Sequence, residues 1–169
     1  MVVWIIGLSG AGKTTLANQV VKETKEKLDN VVLIDGDMVR EAFENDLGHT
    51  MEDRRKNADR ISRLCQLLDS QGIHVVCAIL SIFPESREWN RQHMNNYFEV
   101  FIDAPMSDLM RRNSKGIYSQ IDQKSSPGVV GVDIDFPRPD RADLVIENTG
   151  EVENLLQFSR QIVRQITDS

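Results

Sequence analysis

Cysteine is almost missing from this 169-residue chain: Cys65 and Cys77 are its only two. They form no CxxC pair and each lies in an apolar run, which argues against a disulfide framework. The expectation is a pair of buried core thiols in a reducing, cytoplasmic compartment. Positive charge is also short. Twenty Lys and Arg stand against 26 Asp and Glu, a net charge of −6, so no nucleic-acid partner is expected. No apolar run is long enough to span a bilayer. The opening apolar stretch lacks a basic lead and runs straight into a glycine-rich loop, so it reads as a strand rather than a signal. No membrane partner is expected. His49, His74 and His93 show no metal-ligand spacing, and His74 reads as a strand residue. Internal repeats and low-complexity tracts are absent. The remainder, 40% apolar and 27% charged, suits one domain over 1–169, large enough to bury about 70% of its unfolded surface.

Near the start, Gly7-Leu8-Ser9-Gly10-Ala11-Gly12-Lys13-Thr14 fits GxxxxGK[ST] at every fixed position. This is the phosphate-binding P-loop. Its glycines let the backbone turn tightly enough to aim successive N–H groups at phosphate oxygens. Lys13 supplies a point charge for the β- and γ-phosphates, and the Thr14 hydroxyl is a ligand for Mg²⁺. The helix that follows adds the positive end of its dipole. Gly-rich turns before helices are common. With glycine at about 7% of average composition, though, a chance match to all four fixed positions is on the order of one per cent. The flanks agree, since Val2-Val3-Trp4-Ile5-Ile6 reads as a buried parallel strand and 14–28 as a helix. With Thr15, these residues form the expected site for ATP and Mg²⁺.

Apolar runs then alternate with helical periodicity. Strands are expected near 2–6, 31–35, 73–80, 98–102 and 143–147. The 53–71 segment puts Ile61, Leu64, Cys65 and Leu68 on one helical stripe, and the last segment does the same with Val152, Leu155, Leu156, Ile162, Val163 and Ile166. This pattern predicts an α/β fold, a doubly wound parallel sheet covered on both faces. In such sheets ligands bind just beyond the carboxyl ends of the strands. One stretch breaks the alternation: 114–138 is rich in Gly, Pro, Ser and Asp, with no obvious core. Beside a P-loop it reads as a lid.

No NKxD-type guanine motif is present, and the chain is short for an oligomeric ATPase, which leaves a small-molecule kinase. The second strand ends in Leu33-Ile34-Asp35-Gly36-Asp37-Met38-Val39-Arg40. Asp35 and Asp37 at a strand end could help hold Mg²⁺ and orient an acceptor hydroxyl, with Arg40 one turn on to hold an anionic acceptor. The same aspartates would also serve as helix caps.

At this point the sequence resembles the adenylylsulfate (APS) kinases, which use ATP to phosphorylate the ribose 3′-hydroxyl of adenosine 5′-phosphosulfate. The matching stretches are GLSGAGKTTLA at 7–17, DGDMVR at 35–40, NDLG at 45–48, DRRKNADRI at 53–61, the strand end at Ser81, FEVFIDAP at 98–105, KGIY at 115–118 and GVD at 131–133. The resemblance implies a P-loop nucleoside-kinase-like fold with Asp37 as general base. It implies Arg40, Arg54 and Asn57 as holders of the acceptor and its 5′ anionic group, Ser81 as an active-site serine, and Arg112 and Lys115 as the hinge of a lid over ATP. It also implies a homodimer. An Arg fork at the start of the 53–71 helix suits an oxyanion on physical grounds as well.

The departures are local. Where the family sandwiches the acceptor adenine between two phenylalanines, this chain has His49 and Val129. The SPF-type motif is here Ser81-Ile82-Phe83-Pro84, which leaves Phe83 as another candidate to hold a base, and Ser119 and Gln120 replace the basic residues that usually follow KGLY. The donor half is intact and the acceptor-base pocket is rewritten. The acceptor is therefore APS or a related 5′-modified nucleotide, with cytidine diphosphoramidate, as used by family relatives in capsule pathways, as the alternative. A sugar-acid kinase and an ATP-binding partner protein without turnover are the remaining rivals.

Overall fold

The structure is a computed structural model, and it describes residues 1–112 and 128–169. The chain runs β1 (Val2–Ile6), α1 (Lys13–Thr24), β2 (Val31–Asp35), α2 (Gly36–Ala42), α3 (Met51–Ser70), β3 (His74–Ile79) and α4 (Pro84–His93). It continues with β4 (Tyr97–Asp103), α5 (Met106–Arg112), β5 (Leu144–Glu147), α6 (Val152–Leu156) and α7 (Ser159–Thr167). The five strands form one parallel sheet in the order β2-β3-β1-β4-β5. The expected α/β class and all five expected strands are present. Among the described residues no helix is long and apolar enough to cross a membrane.

The central strand explains the layering. All five residues of β1 are at most 1% exposed, and their alternation sends them to opposite faces. Val3 and Ile5 join α1, Leu155, Ile162 and Ile166 on one side. Val2, Trp4 and Ile6 join Ile61, Cys65, Val75 and Cys77 on the other. Each such side chain contributes about 1.5–3 kcal/mol by leaving water. Both cysteines are buried and free.

Two expectations differ in detail. The C-terminal helical segment is two helices, α6 and α7, rather than one. Residues 114–127 of the expected lid region, Lys115 included, lie outside the described residues. The remaining part, 128–138, is not coreless: Val130 is buried with Ala58, Ile82 and Phe83, and Ile134 and Phe136 pack against them. These apolar residues are too few and too irregularly spaced to give a periodic signal, and so read as loop.

Candidate active site

The P-loop follows β1 and its backbone needs its glycines. Gly12 has φ +99, and a Cβ there would meet Leu155 Cδ2 at 2.5 Å. Gly7 lies so close to β4 that a Cβ would sit 2.8 Å from the Ile102 carbonyl. The loop is braced from within: the Lys13 ammonium donates to the Leu8 carbonyl at 2.9 Å, and the Ala11 amide donates to the same carbonyl at 3.1 Å. At the start of α1 no side chain caps the helix, and its first turn carries no acidic residue. The positive end of its dipole is left for an anion.

Asp35 closes the loop's far side. The Thr14 hydroxyl donates to Asp35 Oδ2 at 2.7 Å, and the Asp37 amide donates to Asp35 Oδ1 at 2.9 Å. Asp35 is therefore the N-cap of α2, as the capping reading of the aspartate pair expects, and a neighbour of the P-loop threonine at once. A hydroxyl and a carboxylate side by side are hard oxygen donors of the kind Mg²⁺ takes. Asp37 is exposed in the first turn of α2 and lines the same cleft as the P-loop, a cavity of about 910 Å³.

Across that cleft stand the arginines. Arg40 Nη1 donates to the Leu47 and Gly48 carbonyls at 2.9 and 2.8 Å. Arg54 donates from Nε to the His49 carbonyl at 2.9 Å and from Nη2 to the Gly128 carbonyl at 3.0 Å. Among the described residues both donate only to backbone carbonyls, and neither has a carboxylate at ion-pair distance. Burial lowers the Arg54 pKa from its ordinary value, and the charge of Arg40 pushes the same way. The charge run of α3 thus divides. Arg55 pairs with Glu85 and covers the Phe83 ring, Lys56 pairs with Glu52 on the surface, and Arg54 enters the cleft. Asn57 lines the cleft too. It is 6% exposed and its Oδ1 has no partner among the described residues, a state that costs about 1–3 kcal/mol until something donates to it.

The remaining expected residues separate. His49 lines the cleft with much of its surface open to solvent, and its pKa is lowered by partial desolvation at the cleft wall, then by Arg40 and Arg54. Ser81, just past β3, is buried with φ +54, and its Oγ accepts from Trp4 Nε1 at 3.2 Å. Phe83 lines the cleft but is only 5% exposed, with the Arg55 guanidinium 4.3 Å from its ring centre. Val129 does not reach the cleft: it packs on the core that α1 covers. Arg112 donates to the Asn148 and Gly150 carbonyls at 3.3 and 3.2 Å, beside the P-loop. Asn148 was not singled out from the sequence, although it follows β5 as the other site residues follow their strands. Its side-chain amide donates to the Ala11 carbonyl at 2.9 Å.

Comparison with known proteins agrees with this geometry. The family model for adenylylsulphate kinase matches residues 1–147. The cytidine diphosphoramidate kinase of Campylobacter jejuni is 37% identical over 151 residues, covering 88% of this chain and 86% of that protein. The adenylyl-sulfate kinase of Paraburkholderia xenovorans is likewise 37% identical, over 147 residues, 86% of this chain and 82% of that protein. Overall identity therefore does not separate the two acceptors. Among solved structures, the Mycobacterium tuberculosis APS kinase CysC in complex with AMPPNP and APS superposes with a TM-score of 0.86. It is 30% identical and covers 99% of this chain and 97% of that one. Fold, P-loop and sequence together place the chain in the adenylylsulphate kinase family, whose members are ATP-dependent kinases that transfer phosphate to a hydroxyl.

Proposed function

We propose that the chain transfers the γ-phosphoryl group of ATP to the ribose 3′-hydroxyl of a nucleotide with an anionic 5′ substituent, APS or a close relative of it. The carrying observation is the acceptor half of the cleft. Arg40 and Arg54 lack carboxylate partners among the described residues, beside the orphaned Asn57 Oδ1. An anion there would offset two like charges that now face each other. On the donor side, Lys13 and the uncapped N-terminus of α1 hold the phosphates, and Arg112 braces the loop after β5. Thr14 and Asp35 fit Mg²⁺, which when bound would neutralise charge on the β- and γ-phosphates. Asp37 orients the acceptor hydroxyl and takes its proton as the new P–O bond forms, while the rest of catalysis is positioning and charge stabilisation. The assembly we propose is a homodimer, which light scattering would test.

A second reading rests on His49. An imidazole in place of a phenyl ring weakens an adenine-stacking wall, which favours a smaller pyrimidine acceptor such as cytidine diphosphoramidate. ADP release, measured with APS, cytidine diphosphate derivatives, nucleosides and sugar acids in turn, decides among these. Turnover with APS and none with cytidine derivatives establishes the first reading, and the reverse establishes the second. Turnover only with sugar acids, or with no acceptor at all, overturns both.

A further inference from the structure

A buried cation lies behind the acceptor side of the cleft. Arg87, on α4, is 6% exposed. Its Nη1 donates to the Ser81 carbonyl at 2.9 Å, and its Nη2 reaches the Pro137 carbonyl at 3.4 Å. Its Nε faces Glu99 Oε1 at 4.0 Å. Glu99, 2% exposed on β4, is itself fixed by the Tyr97 hydroxyl at 2.7 Å and by Arg91 at 3.6 Å. The guanidinium is thus anchored at its base and forked at its tip, and the two tines end on carbonyls 56 positions apart in the chain.

The Ser81 carbonyl belongs to the cleft wall, and the Pro137 carbonyl to a segment packed behind that wall. Ser81 sits in the left-handed region, which a serine keeps only when its surroundings fix it. Here the Trp4 indole fixes the side chain and Arg87 the carbonyl. Leu80, Ser81, Ile82 and Phe83 line the cleft. Pro137 ends the 128–137 segment, whose other end, Gly128, is held by Arg54, the arginine assigned above to the acceptor anion. Val130 of that segment packs on Ile82 and Phe83.

We infer that Arg87 is a positioning residue for acceptor binding: it clamps the Ser81 turn to the 128–137 segment behind it and so fixes the part of the cleft wall formed by residues 80–83. The inference rests on the proposed acceptor site. An ammonium in its place keeps the charge beside Glu99 but cannot span two carbonyls in a planar fork.

The test is Arg87→Lys in the full chain. Transfer to APS and to cytidine 5′-diphosphate is measured alongside hydrogen exchange of residues 80–83 and 128–138. The expected result is an acceptor KM raised about tenfold or more, with the KM for ATP within about twofold of wild type. Exchange should quicken in both clamped segments and stay unchanged in β1 and α1. If Arg87→Lys does not fold, the Arg87→Met, Glu99→Gln double variant removes both buried charges together and serves the same comparison. ATP and acceptor parameters falling together, or an unchanged acceptor KM, overturns the clamp. A wild type that uses neither acceptor counts against the functional reading alone, and exchange then decides: loss of protection in both clamped segments supports the clamp and unchanged protection overturns it.

Discussion

The Asn148 side-chain amide donates to the Ala11 carbonyl across 137 positions of sequence, at 2.9 Å in a buried site. It ties the end of β5 to the middle of the P-loop. The Asn148 amide N–H is itself held by the Asp103 carbonyl at the end of β4, so the phosphate loop is braced by two strands it does not follow. Asn148→Ala leaves a buried carbonyl without its donor, at a cost of about 1–3 kcal/mol. The expected outcome is a KM for ATP raised by about tenfold or more, with acceptor KM little changed. Equal effects on both substrates would show that the bond serves global stability instead.

Lys13 and Asp37 line one cleft but should fail differently. Lys13→Ala removes charge stabilisation of the transferring phosphoryl group and should nearly abolish turnover with the fold intact. Near-normal turnover at saturating ATP would sink the P-loop assignment. Asp37→Asn keeps the shape but cannot take a proton, so kcat should fall by roughly 10²–10⁴-fold with little change in the KM for ATP. A change confined to ATP affinity would instead assign Asp37 to the metal.

What was legible in the sequence was what is local. The P-loop is eight consecutive residues, and β1 is a short apolar run bounded by glycine, so both could be read directly. Asp35 ends its strand and Asp37 and Ser81 follow theirs, where a parallel sheet places its ligands. Contacts across long separations were not legible. Nothing near Arg87 announces that its guanidinium meets Ser81 and Pro137, because α4 reads as a polar surface helix. The arginines of α3 look alike in sequence, and only the fold separates Arg54 from Arg55. Val129 and Val130 have the same side chain on adjacent positions, and only the fold shows that it is Val130 that packs beside Phe83.

Acid should destabilise the fold well before the carboxylates titrate. His49 and His74 both lie below their ordinary 6.5, each chiefly through burial, and for His49 the charges of Arg40 and then Arg54 add to it. The unfolded chain therefore binds these protons more readily than the folded one. The histidines' contribution to stability is complete above about pH 6.5 and is lost as pH falls through the lowered folded values. The lowered carboxyls of Asp46 and Glu85 act with the same sign, but only below 3.8 and 4.5. Urea midpoints at about pH 7.5 and 5.5 should differ for wild type and differ less for His49→Gln. An identical difference in the variant would assign the acid limb to His74.

The acceptor wall gives the sharpest test, because the two positions at which the family carries phenylalanine are not equivalent here. His49 lines the cleft, whereas Val129 packs on the core beneath α1. Phe83 is no substitute wall, since it is 5% exposed and Arg55 covers one face of its ring. A stacking aromatic contributes about 1–3 kcal/mol per base, so His49→Phe should lower the KM for APS by about tenfold. Val129→Phe should add nothing to this and should reduce stability, because Val129 already packs against the core and a larger ring has to displace its neighbours. KM for APS and urea midpoints, measured on both single variants and the double, check this. If the double variant gains as much again over His49→Phe, residue 129 swings into the cleft with acceptor bound, and the family's two-sided sandwich is available to this chain. If His49→Phe instead weakens APS use, the imidazole itself contacts the acceptor, and the stacking account of position 49 is wrong.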